Sequence, residues 1–350
     1  MRGYRFDVLD GLRGIAAFAV LILHVTPYNA INITPHAALA VDFFFALSGF
    51  VIAAAYGARI EAGMTVRAFM RLRLIRLYPL IALGTVIGAV GYVMLYDRNT
   101  LALLFVAGLL MIPTPYGAVS EEQCMFPLNA PSWSLLWELL VNLLYCAIAP
   151  VLGNRLLATI VIVSGLALAA TGLYFGTLAV GPYWPTGWAG LPRVMFSFFA
   201  GIAIFRLREA GLLTRLKAPA WVAAVALAAI LAVPVFGAWN GVYEVLTAII
   251  VLPLLVAVGA NATVTHTASI CRTFGNLSYP VYILQSGITP HLRGLSGHLN
   301  IQGLGATLLA VLVSIAFTLF AWVALKTFDE PVRKWLSGRR REVPTASTAP

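Results

Sequence analysis

Apolar runs long enough to cross a lipid bilayer recur along nearly the whole of this chain, and nothing else in it narrows the fold as much. A hydrocarbon core about 30 Å thick takes about 20 helical residues. Of the 350 residues, 61% are hydrophobic and 10% charged, against about 25% charged in a soluble domain. The strict alternation of an outer-membrane barrel is absent. The pattern predicts an all-α integral membrane protein of about ten transmembrane helices, near 11–28, 37–56, 77–96, 133–150, 156–175, 191–205, 221–239, 242–260, 277–290 and 304–325. The first run continues to about Tyr28 and lacks a small-residue cleavage site, so it reads as a retained span and not a secretory signal.

The run 101–112 has twelve residues and leads into a loop with Glu121 and Glu122 but no Lys or Arg. It is expected to be re-entrant or interfacial, since one more crossing would reverse every later loop. With ten spans, twenty of the 23 Lys and Arg fall on the side of the termini and three, Arg98, Arg193 and Arg293, on the other. That asymmetry predicts a multi-pass bacterial inner-membrane protein with both termini cytoplasmic. The same topology accounts for the net charge of +10, together with contacts to anionic lipid headgroups. No nucleic-acid-binding pattern accompanies it. The three cysteines have neither disulfide nor metal-site spacing, and no metal is expected. No internal repeat stands out. Residues 337–350 are expected to be a disordered tail, basic and then rich in Pro, Ser and Thr.

Four clusters carry chemistry. Arg13 and His24 lie eleven residues apart in the first span, about three helical turns and ~16 Å along one stripe. An ionisable residue inside a span marks a functional site by default, and imidazole is the usual general base near neutral pH. The alternatives are a topology charge for Arg13 and a satisfied core histidine for His24. Arg67, Arg71, Arg73 and Arg76 form a basic loop before Pro79, which sits near the start of the third span. Arg73 and Arg76 project together on a helix, and forked guanidiniums suit phosphate; positive-inside charge on lipid headgroups is the competing reading. Glu138 follows Ser132, Trp133 and Ser134 one turn into the fourth span. It needs a partner, His24 or an arginine, or else favours the helix N-terminal dipole with Ser132 or Ser134 as cap. Asp42 pairs with His24 or Arg193, or faces water. Ser48-Gly49 reads as a close helix approach, and Glu244 as a solvated interfacial residue.

These residues also fall into six ordered blocks. They are Leu9-Asp10-Gly11-Leu12-Arg13-Gly14 with His24; Val41 to Phe50; Arg73 and Arg76 followed by Leu77-Tyr78-Pro79; Ser132-Trp133-Ser134-Leu135 with Glu138; Phe274 to Tyr282; and Asp329-Glu330-Pro331-Val332-Arg333-Lys334-Trp335. In this the chain resembles the membrane acyltransferase-3 family, integral-membrane O-acyltransferases of bacterial polysaccharides, nodulation factors and macrolides. The resemblance covers residues 1–336. It implies acyl-CoA, acetyl-CoA by family prevalence, as a cytoplasmic donor substrate with no permanently bound cofactor. It implies a hydroxyl acceptor on a saccharide or glycolipid, with a macrolide-like molecule as runner-up. Residue by residue it makes His24 catalytic with Arg13 and Glu138, puts Arg73, Arg76 and Arg13 on the donor, and places Asp42, Ser132 and Trp133 in a substrate-binding block. Two positions depart from the family pattern: Gln285 stands where a histidine is common, and Asn142 where a tyrosine is. The rival class is a transporter or flippase of a sugar-linked or anionic lipid, with His24 and Glu138 as a proton relay. It requires broken helices in paired repeats, which the chain does not display.

Overall fold

In hydrocarbon every backbone polar group must find a partner, which leaves helices or closed barrels, and without a barrel's alternation the apolar runs form helices. A computed structural model describes residues 6–115, 117, 123–264, 266–289, 291, 298–299 and 301–338. Glu121, Glu122, Pro290, Arg293 and the tail from Arg339 lie outside the described residues. The helices are α1 (Asp7–Val25), α2 (Ala40–Glu61), α3 (Val66–Gly91), α4 (Arg98–Leu109), α5 (Ser132–Ile148), α6 (Asn154–Phe175), α7 (Gly190–Glu209), α8 (Ala220–Ala232), α9 (Asn240–Leu246), α10 (Leu252–Asn261), α11 (Ala268–Leu284), α12 (Gly303–Ala324) and α13 (Glu330–Gly338). Single π turns at Thr247–Val251 and Leu325–Asp329 join α9 to α10 and α12 to α13. Each precedes a proline, Pro253 or Pro331, whose missing N–H breaks the ordinary hydrogen-bond ladder. Ser337 and Gly338, expected in the tail, complete α13.

Among the described residues, eight helical segments are long and apolar enough to cross a membrane. The other two expected spans are shorter: α8 has 13 residues and α11 has 17. The expected span 221–239 stops at Ala232 because Pro234 drives Val233 into an extended conformation. The α8 segment still traverses the bundle. Before it, the Leu213 carbonyl accepts from Asn261 at the end of α10; near its far end, the Leu231 carbonyl accepts from the His36 amide between α1 and α2.

The path of α4 is different. Asp97 caps its start through the amides of Asn99 and Thr100. It runs beside α3 until Tyr78 donates to the Leu109 carbonyl at 2.8 Å. The chain then comes back, with Leu128 packed on Gly88. This excursion matches the re-entrant expectation, and helix direction supports it independently. Helices α1 and α11 run parallel, since Gly11 meets Cys271, Arg13 bonds the Gly275 carbonyl and His24 bonds Gln285. Parallel helices have an odd number of traverses between them; α2, α3, α5, α6, α7, α8 and α9–α10 supply seven. A crossing by α4 would have made α1 and α11 antiparallel.

The expected basic loop before span three is helical. Thr65 caps α3 by accepting from Ala68, and Arg67 to Arg76 form its first turns. Pro79 therefore sits inside the helix and not near its start.

Lipid gives helices no hydrophobic reason to associate, so close packing of small residues must hold them. On α2, Gly49 lies against the Phe198 carbonyl of α7, and Gly201 of α7 lies against the Ala46 carbonyl. On α1, Gly14 lies against Phe274, while Gly275 of α11 would place a Cβ 2.6 Å from that of Asp10. Two buried ionic sites add specificity. Arg193 of α7 binds both Asp42 oxygens, at 3.1 and 2.7 Å, and also the Val180 and Ala38 carbonyls; both side chains are fully buried. Arg193 is thus a core residue and not an outer-loop charge. Glu244, expected to be solvated, is buried too. It accepts from Asn240, Thr177 and the Leu178 amide, and meets His36 Nδ1 at 3.0 Å. This cluster ties the α1–α2 and α6–α7 connections to α9.

Two predictions follow from this packing. Gly49→Val drives a side chain into the Phe198 backbone and should cost about 1–3 kcal/mol or more. It should be read as a lowered melting temperature in detergent, and an unchanged Tm would contradict the close approach. Asp42→Asn or Arg193→Met alone strands a buried charge and should cost about 3–5 kcal/mol, with Asp42→Leu/Arg193→Met costing less than either single change. Equal melting of all four proteins would show the pair to be dispensable.

Candidate active site

One end of the bundle carries the start of α1, the end of α2 and the start of α3. From there a cavity of about 420 Å³ extends between these helices, α5 and α11, within the usual size range for small-molecule sites. Arg13, Arg73, Arg76, Asp10 and Glu138 supply its charges, and Phe44, Phe45, Leu135 and Tyr282 are among its apolar lining. Three cations against two carboxylates give it an anion-favouring balance.

Glu138 projects from α5 into this cavity. Its Oε1 accepts from Arg73 at 2.7 Å and from Ser48 at 2.7 Å. The α5 carboxylate is thereby held by α3 and α2 together, and of the expected partners it is the arginine that it meets, not His24. Removing a carboxylate from water requires such partners. Arg73 is buried, whereas Arg76, three residues on, is exposed. The two guanidiniums therefore do not act as one fork: Arg73 is engaged by Glu138, and Arg76 stands at the exposed side of the cavity. Arg13 donates to Asp10 at 3.0 Å and to the Gly275 carbonyl at 3.0 Å. At the inner end, Tyr282 packs edge-on against Phe44 with centroids 5.6 Å apart, and its hydroxyl meets Ser134 at 2.8 Å.

His24 does not line this cavity. It sits in the last turn of α1 with an exposed side chain, where its Nδ1 meets Gln285 Oε1 at 3.2 Å. Of the two kinds of partner the sequence left open for Glu138, His24 is not the one it meets: α1 runs parallel to α11, so His24 is level with Gln285. Tyr282, three residues before Gln285, places the cavity floor about one helical turn, ~4.5 Å along the axis, from the His24 level.

The expected substrate-binding residues Asp42, Ser132 and Trp133 are not among the residues that line this cavity. Asp42 is consumed by Arg193. Ser132 is 1% exposed, and its amide bonds the Asn129 carbonyl. Trp133 packs beneath the Arg193 guanidinium, 5.5 Å from its ring centroid. They support the site from behind. Conversely, Ser48, Ser134, Tyr279 and Tyr282 line the cavity without having been expected there. Ser48 and Ser134 stood in motif blocks but read as packing and capping residues, and no local spacing could reveal that they face the same space.

Comparison with known proteins agrees with the motif blocks. The acyltransferase-3 family model, an acyltransferase domain, matches residues 6–326. Protein 2 in picA locus of Rhizobium radiobacter is 38% identical over 157 residues, covering 40% of this chain and 81% of that protein. No solved structure matches. A match over nearly the whole chain, on a bundle of membrane-length helices enclosing a charged cavity, shows that the chain belongs to the acyltransferase-3 family and is a multi-pass membrane acyltransferase.

Proposed function

We propose that this protein moves an acyl group, acetyl by family prevalence, from acyl-CoA to a hydroxyl of a saccharide or glycolipid. The observation that carries this reading is the cation-rich cavity at the basic end of the bundle. Arg59, Arg67, Arg71, Arg206, Arg208, Arg215 and Lys217 belong to the helix ends and connections on that same side. By the positive-inside rule this end is cytoplasmic, in a bacterial inner membrane with both termini inside. Acyl-CoA is available there. Arg76, exposed and one turn from the cavity interior, is placed to meet phosphate oxygens. Arg13 and the Arg73–Glu138 pair line the way inward, and the apolar inner wall suits the acyl end.

The transfer balances simply. The acceptor oxygen attacks the thioester carbon, the C–S bond breaks, and the hydroxyl proton passes to His24 while coenzyme A leaves as thiolate. A route through an acyl-histidine would use the same residue as nucleophile. On either route the thioester must come within reach of His24, which stands about one helical turn beyond Tyr282.

The proton-relay alternative gains nothing from the geometry. His24 meets Gln285 while Glu138 meets Arg73 and Ser48, so the two relay groups do not address one another.

His24→Ala should abolish release of coenzyme A thiol from acetyl-CoA with the melting temperature unchanged; full activity in that folded variant would end the assignment. Arg76→Ala should raise KM for acetyl-CoA about tenfold, the loss of roughly 1.4 kcal/mol from one charged contact. It should also reduce the thermal stabilisation that acetyl-CoA gives the wild-type protein. Identical donor dependence in the variant would place the phosphates elsewhere.

A further inference from the structure

We propose that Gln285 is a positioning residue that fixes the tautomer and ring orientation of His24, holding the proton on Nδ1 and directing the basic lone pair of Nε2 to the reaction. This deepens the acyltransferase reading above and rests on it for the role of His24, though not for the tautomer itself.

A carboxamide oxygen only accepts hydrogen bonds and its nitrogen only donates, so a glutamine of known orientation dictates which imidazole nitrogen is protonated opposite it. Here the orientation is set within α11. Gln285 Nε2 donates to the Tyr282 carbonyl at 2.9 Å. Tyr282 lies in the final turn, where helical carbonyls run out of intrahelical donors. With the nitrogen so committed, Oε1 faces His24 Nδ1 at 3.2 Å. Rotating the amide by 180° would set oxygen against the Tyr282 carbonyl and lose that bond.

The rest of the residue is equally constrained. Gln285 is 2% exposed, so water does not compete for Oε1. Its own carbonyl accepts from the Thr289 amide and hydroxyl, which pins the backbone where α11 ends. The donor's anchor, Tyr282, also forms the cavity floor with Ser134. Gln285 therefore couples the floor of the cavity to the ring of His24. A histidine at this position could either donate or accept, which would leave the tautomer of His24 undetermined. An aliphatic residue would offer Nδ1 no acceptor and so remove the contact that holds the proton there. Groups that orient a reacting histidine are worth about 10–100-fold in metal sites, and holding the wrong tautomer in a serine protease costs about 10⁴-fold in kcat.

The test is nitrogen-15 NMR of the full-length protein in detergent, labelled at its five histidines, with the His24 signals identified by their loss in His24→Ala. Wild type should show Nδ1 protonated and Nε2 unprotonated. Gln285→Leu should move the proton to Nε2, and Gln285→Glu, which keeps an acceptor oxygen, should hold it on Nδ1. In parallel, Gln285→Leu should lower kcat at least tenfold with KM for acetyl-CoA unchanged, and Gln285→Glu should restore most of it. A wild-type His24 protonated on Nε2 overturns the proposal, whatever the activities. So does a wild-type kcat in folded Gln285→Leu when His24→Ala is inactive. If His24→Ala stays active, the catalytic reading of His24 falls instead, and the NMR result alone decides the tautomer. Should Gln285→Leu fail to fold, the wild-type and Gln285→Glu spectra still decide.

Discussion

The contact between α1 and α11 organises this protein. Two helices 261 residues apart run in the same direction with glycine on both sides of the seam: Gly11 and Gly14 on one, Gly275 on the other. Small residues let the backbones approach closely, and the close approach fixes the register. Register then distributes chemistry. At one end it brings the Gly275 carbonyl to Arg13, at the other Gln285 to His24. The parallel direction also demands an odd number of intervening traverses, so once the short α8 segment crosses, the similarly short α4 must turn back.

Charges buried in this bundle divide by what they face. Arg193 and Asp42 are saturated by one another and by backbone carbonyls, and His36 and Glu244 sit among Asn240 and Thr177. Both sites join chain segments and leave little capacity for a ligand. The third site differs. Glu138 and Arg73 face a cavity shared with Arg13 and Arg76. Burial of charge in a low-dielectric bundle is costly unless compensated. The first two sites are compensated internally, while the third combines internal compensation with a surplus positive charge turned toward the cavity.

The residues at the site behave as a set of supports more than as a cluster. Ser48 and Arg73 hold Glu138, Asp10 and Gly275 hold Arg13, and Gln285 holds His24. Trp133 and Asp42, one layer out, hold the α5–α7 and α2–α7 contacts through Arg193. The motif blocks are therefore not all cavity-lining: some residues in them shape the helices that present the others.

Much of this was legible without a structure. Apolar length fixed the class, because a bilayer admits only helices or closed barrels. Charge asymmetry implied that 101–112 does not cross, and helical spacing put Arg13 and His24 on one stripe of α1. Local sequence could not supply the partners. Glu138 was as compatible with His24 as with an arginine until α3 and α5 were packed together, and Asp42 was equally open until α7 delivered Arg193. Glu244 read as solvated because nothing nearby announces Thr177 or His36, 67 and 208 residues away. The amino-acid sequence by itself determined a helical membrane protein, its polar punctuation and its family motifs, all properties of short segments and their solvent. Which charge neutralises which, which face lines the cavity, and how far His24 stands from that cavity were decided only by tertiary packing. Helix register and direction set those distances, and they are properties of pairs of segments far apart in the chain.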